Sequence, residues 1–166
     1  MRLTTRQLTL CALLSALALA LSYTENFLPL SLVIPLPGIK LGLANIVTVF
    51  AVFAIGSWEG LAILICRVFL GAIFAGNFST ILYSGAGGLC AIGITILSRK
   101  FLTNKQIWVA GVLGSIAHCI GQMAVAIGVT LTPGLAAYLP VMIGIGIFTG
   151  AFTGLCAQFL TERLKF

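Results

Sequence analysis

Apolar residues run along this chain in long blocks, broken at a few points by glycine, proline and charge. The blocks predict six helices, at about 7–25, 41–56, 60–76, 78–98, 107–131 and 136–160. A bilayer core of about 30 Å takes about 20 apolar residues per helix, so each block is a candidate span. The second and third are short, which suits spans that start in the interface or sit in thinned bilayer. Glycine marks the tight turns "GSWEG" (56–60) and "GN" (76–77). One stretch breaks the pattern: "LPLSLVIPLPGIKLGLAN", Leu28 to Asn45, is apolar yet carries Pro29, Pro35 and Pro37, which no single helix can run through.

Composition turns candidate spans into a class. Of the 166 residues, 60% are hydrophobic and 7% charged, against about 25% charged in soluble domains. Mean hydropathy is +1.19. The chain reads as one all-α integral membrane domain over residues 1–166. Charge gives it an orientation. With the N-terminus inside, Arg2, Arg6, Arg99, Lys100, Lys105, Arg163 and Lys165 are cytoplasmic, Arg67 lies within the third span and Lys40 alone is outside. That is the positive-inside arrangement, and it places both termini in the cytoplasm of a multi-pass cell-membrane protein. The net charge of +6 forms no basic stripe with interleaved aromatics, so nucleic acid is not an expected partner. The first apolar run is long for a cleaved leader and reads as a retained helix.

Some chemistry is excluded by residue type. There is no aspartate, one histidine and no G-x-x-x-x-G-K-[ST] loop. No phosphate-loop ATPase, zinc site or nucleophile–base–orienter set can be assembled from these residues, so neither catalysis nor an intrinsic metal or cofactor is expected. The five cysteines lie in apolar runs without CxxC spacing and read as small hydrophobes.

The polar residues at membrane depth are few and asymmetric. Arg67 stands near the middle of span three, where a cation is costly, with no carboxylate expected at its depth. Asn45, His118 and Gln122 fall at similar depth. Glu25, Asn26, Lys40 and Asn77 ring the outer mouth, and Tyr83 lies a turn below it. Singly, each fits a hydrogen bond between helices. Together, with an inner half expected to be nearly all apolar, they predict a cavity open to the outside whose arginine favours an acidic or carbonyl-rich ligand. The proline-broken segment becomes a lid, since irregular backbone at membrane depth must be buried by protein or line a cavity. Small residues add contact surfaces: Ala12, Ala16 and Ala20 on the first helix, and Gly146, Gly150 and Gly154 on the last. The glycines are expected to pack inside the protein. Gly85, Gly87 and Gly88 predict a thinned or bent fourth helix that makes room for something.

The segment "PGIKLGLANIVTVFAVF", followed by "RVFLG" and "SGAGG", resembles the Gx transporter family, also labelled heptaprenyl diphosphate synthase component I, over about residues 10–160. That family's fold is similar to the substrate-binding S subunits of energy-coupling-factor (ECF) transporters. The resemblance implies a six-helix bundle with a lid after helix one and an outward pocket. It implies capture of a small vitamin-like, acidic or carbonyl-rich solute. It also implies an AxxxA docking face, here Ala12, Ala16 and Ala20, for a membrane coupling (T) subunit that works with two ATPases, the only users of ATP. Two alternatives come with it: a quinone- or flavin-binding subunit of an electron-transfer complex, or an accessory to a separate polyprenyl diphosphate synthase. This chain cannot itself be such a synthase, because it lacks the aspartates that hold Mg²⁺ on a diphosphate.

Overall fold

The computed structural model describes residues 5–25, 42–76 and 79–164. They form six α-helices: α1 (Thr5–Glu25), α2 (Leu43–Ala54), α3 (Ser57–Ala75), α4 (Ser79–Arg99), α5 (Ile107–Thr130) and α6 (Leu139–Arg163). Short 3-10 segments, Asn104–Gln106 and Pro133–Tyr138, lead into α5 and α6. There is no strand among the described residues. Every helix but α2 is long and apolar enough to cross a membrane.

The expected boundaries hold within three residues, and each difference has a local cause. The third span is not short: α3 begins at Ser57 and runs 19 residues. The last helix begins at Leu139 rather than 136, because Pro140 lacks an amide donor and sits only in a first turn. Its far end reaches Arg163, held by a Gln158–Glu162 side-chain hydrogen bond of 3.2 Å and by Arg163 over the Phe159 ring. Gly76, at φ 61°, closes α3 in the left-handed region where glycine carries no steric penalty. The lid assigned to the proline-rich stretch, with Asn26 and Lys40, lies outside the described residues, as does Asn77.

α2 explains its own shortness. At 1.5 Å per residue its 12 residues reach about 18 Å, short of the full thickness of a bilayer core. Eight of the twelve are buried, from Ala44 to Phe53 and on every side of the helix. A helix apolar all round belongs in an interior, and α2 packs against each of the other five. Val49, Phe50, Val52 and Phe53 join Leu64, Val68, Ile92, Ile107 and Ala157 in the main core.

Contacts at the glycines set the register. A β-carbon on Gly60 would meet Val52, one on Gly88 would meet Leu64, one on Gly121 would meet Cys90, and one on Gly146 would meet Cys119. These pairs make α2–α3, α3–α4, α4–α5 and α5–α6 antiparallel. Gly71 against Leu19 puts α3 alongside α1. The bundle therefore alternates up and down. Arg6, Arg99, Lys100, Lys105 and Arg163 fall at one end, and Glu25, Gly42, Gly76 and Thr130 at the other.

The two small-residue faces behave differently. Gly146, Gly150 and Gly154 are buried against α5: a β-carbon on Gly150 would lie 2.7 Å from the Gly111 carbonyl oxygen, and one on Gly154 2.7 Å from the Trp108 Cα. The glycine face is internal packing, as expected. Ala12, Ala16 and Ala20 stay exposed, while α1 buries the adjacent stripe of Cys11, Ser15 and Ala18.

Candidate functional site

A cavity of about 1370 Å³ runs between the helices and is lined by all six. Its exposed lining residues include Tyr23, Thr130 and Tyr138 toward the end of the bundle that carries Glu25 and Gly42, and Ala16 and Ala20 along α1. Along α5 its lining extends from Thr130 to Gly111, about 28 Å of helix. That is nearly the thickness of a bilayer core.

Arg67 is its only buried cation among the described residues, with 8% of its surface exposed. Its Nη2 donates to Asn45 Oδ1 at 3.2 Å. The antiparallel pairing of α2 and α3 makes this possible, since Asn45 and Arg67 fall at one level. An amide oxygen satisfies one of five guanidinium donors and leaves the charge uncompensated. An acid at the outer end of α1 acts on it. Glu25, the last residue of α1, is buried at 6% exposure. Its carboxylate lies close enough to attract the Arg67 guanidinium. The expectation that no acid stands near Arg67 is thus corrected. α1 ends beside the start of α2, and the Glu25 Oε1 accepts a hydrogen bond from the Leu43 amide. Gly42, at φ 74°, makes no side-chain cap, so the carboxylate from the neighbouring helix does that work.

His118 and Gln122 line the cavity on α5, half-buried and one turn apart. The glycines of α4 make room for the imidazole: a β-carbon on Gly87 would stand 2.9 Å from His118 Cε1. Gly88 serves Leu64 in the same way, at 2.7 Å. The space predicted by this glycine cluster is therefore taken by side chains of α5 and α3. Tyr83 also lines the cavity, half-buried. Asn45, Arg67, Tyr83, His118, Gln122 and Glu25 are all brought to one cavity. Asn26, Lys40 and Asn77 lie outside the described residues. Among those described, no group of three or more His, Cys, Asp or Glu residues could hold a metal ion.

Two placements differ from the sequence reading. Ala16 and Ala20 border the cavity as well as being exposed, whereas Ala12 does not. The inner half is also less apolar than expected. Ser15, Thr95, Ser98 and Thr153 are buried there, and Thr95, Ser115 and Thr153 line the cavity's inner part. Their signal was present as small polar residues beside the glycines of α5 and α6, Gly114–Ser115 and Gly150–Thr153. Taken alone it resembles ordinary hydroxyl-to-backbone bonding within a helix.

Comparison with known proteins bears on the whole chain. No curated protein and no solved structure matches it. The family described as heptaprenyl diphosphate synthase component I matches residues 14–160. That stretch takes in all of α2 to α5, most of α1 and α6, and every described residue of the cavity's polar layer. The chain is a member of the heptaprenyl diphosphate synthase component I family.

Proposed function

We propose that this protein is a substrate-binding membrane subunit that captures an acidic or carbonyl-rich solute, as S subunits of ECF transporters do. The observation that carries the reading is the Arg67–Asn45 pair, set level with His118 and Gln122 in a cavity with exposed lining at one end of the bundle. A buried guanidinium that gives one hydrogen bond to Asn45 and is attracted by Glu25 still suits a carboxylate or phosphate ligand, which would strengthen its charge pairing. That end faces outward, because the described lysines and arginines other than Arg67 lie at the opposite, cytoplasmic end. Six spans, with α2 counted as one, place both termini inside.

Binding alone moves nothing uphill, and the chain has no phosphate loop. Energy would come from ATPases through a coupling subunit docked on Ala12, Ala16 and Ala20. The protein itself catalyses nothing on this reading and holds no cofactor. The family's description favours a second reading, an accessory to a separate polyprenyl diphosphate synthase. A subunit of a quinone- or flavin-linked complex is the remaining alternative.

Extraction in mild detergent, with mass spectrometry of co-purifying proteins and small molecules, separates these. A coupling subunit with ATPases, and an acidic small molecule absent from Arg67→Gln, supports transport. A prenyl synthase, or flavin and quinone proteins, with no ATPase would overturn it.

A further inference from the structure

The cavity is larger than a small solute requires. Ligand pockets of drug-sized molecules run to about 300–1,000 Å³, and this one is about 1370 Å³. Its excess lies partly on the cytoplasmic side of Arg67. From His118 to Gly111 on α5, and from Gly146 to Thr153 on α6, the lining continues for seven residues, about 10 Å of helix. Thr95 on α4 marks the same depth, since a β-carbon on Gly114 would lie 3.1 Å from its Oγ1.

This inner arm carries few hydroxyls, and its threonines use theirs within their own helices. Thr95 donates to the Ala91 carbonyl at 2.9 Å, Thr153 to Gly150 at 3.2 Å and Thr149 to Gly146 at 3.3 Å. Each of these threonine hydroxyls is bonded within its own helix, which leaves Ser115 as the arm's remaining hydroxyl. Val49, Leu64, Ala91 and Ile92 complete the wall. Such a space offers water too few partners to hold it well, whereas apolar matter gains by filling it.

We infer that the ligand is an elongated amphiphile, with an anionic or carbonyl head at Arg67 and Asn45 and an apolar body of about 10 Å in the arm toward Thr95, Gly111 and Thr153. This rests on the solute-binding reading above and narrows it. The arginine fork supplies the head site, because two parallel donors match a carboxylate or phosphate. The arm supplies selectivity by length.

Monoalkyl phosphates are the probes. Methyl, butyl and octyl phosphate, below micelle-forming concentrations, are titrated by calorimetry into the full chain in zwitterionic nanodiscs, with empty discs subtracted. Affinity should rise about fourfold per methylene up to octyl. Arg67→Gln should weaken all three at least tenfold. Ala91→Leu fills the arm and should erase the chain-length gain while methyl phosphate binds as before. An octyl phosphate with a terminal diazirine should cross-link near Thr95, Gly111 or Thr153, a readout that does not depend on any variant folding. Displacement of octyl phosphate by dioleoyl phosphatidate would support the amphiphile and identify it as a bilayer lipid; indifference to phosphatidate would support a single-chain molecule.

Other results overturn the inference. Equal affinity for methyl and octyl phosphate, still dependent on Arg67, ends the amphiphile but keeps the solute site. Cross-links at Tyr23 or Tyr138 also end it. No binding of any probe, or binding indifferent to Arg67, ends both readings.

Discussion

Two faces of this protein carry the same small-residue spacing and have opposite fates. On α6, Gly150 and Gly154 leave no room for a β-carbon against the α5 backbone, and Gly146 packs on the side chains of Cys119 and Ser115. On α1, Ala12, Ala16 and Ala20 are exposed to the surroundings. A residue every four positions makes a smooth stripe along a helix, and in lipid a smooth stripe favours close packing. The stripe does not say which helix will use it. The α5–α6 connection is short, so these two helices become neighbours and the glycines close on each other. α1 instead spends its adjacent stripe on α2 and α3, and the alanines remain available.

The sharpest way to break the comparison is at Gly150. A leucine there would drive its β-carbon toward the Gly111 carbonyl and Ser115 Cβ, each 2.7 Å away. Backbone cannot step aside as a side chain can. Gly150→Leu should cost about 3 kcal/mol or more and lower the thermal unfolding midpoint sharply in detergent. The matching change on the other face, Ala12→Leu, should leave that midpoint unchanged, because Ala12 is exposed and does not border the cavity.

The cavity gives the next largest effect. Arg67→Ala should weaken binding of an acidic ligand by an order of magnitude or more, as loss of a charge-assisted hydrogen bond of about 1.5–3 kcal/mol implies. Arg67→Lys should restore only part, since an ammonium cannot reproduce the planar fork. Glu25 changes what the empty protein does. Removing the guanidinium leaves this buried carboxylate without its attraction, so the relief from losing a buried cation is partly cancelled. Thermal unfolding of Arg67→Ala and of Arg67→Ala with Glu25→Gln, each with and without ligand, should show the double variant as the more stable when empty.

Docking comes next. Ala12→Leu should weaken association with a coupling subunit in co-purification, with ligand binding intact. Ala16→Leu should weaken both, because Ala16 borders the cavity as well. If neither variant changes co-purification, the exposed alanines are lipid-facing surface and the docking proposal fails.

The smallest effect is expected at Leu131, where α5 ends in the left-handed region at φ 51° with 84% of the side chain exposed. A leucine there carries a steric cost that glycine avoids, offset by glycine's greater freedom in the unfolded chain. Leu131→Gly should stabilise by about 0.5 kcal/mol, visible as a small rise in the unfolding midpoint.

Much of the fold was legible because it depends on local chemistry. Apolar block length, glycine turns and the placement of lysine and arginine are properties of short stretches, and lipid leaves the backbone few choices beyond helix. The same holds for Arg67: a cation amid apolar residues declares itself, and so does its need for an amide partner. Tertiary structure decided what depends on neighbours. It set Glu25, at the end of α1, against the start of α2, where it caps that helix and attracts Arg67, an arrangement no spacing within one helix announces. It filled the room beside Gly87 with His118 and the room beside Gly88 with Leu64. It also turned the inner threonine hydroxyls to carbonyls of their own helices. Sequence by itself determined a membrane-embedded helical bundle with one costly charge at depth, since solvent preference is additive along the chain. Which small faces close, and where space is left between helices, was set only in three dimensions, because packing belongs to pairs of surfaces.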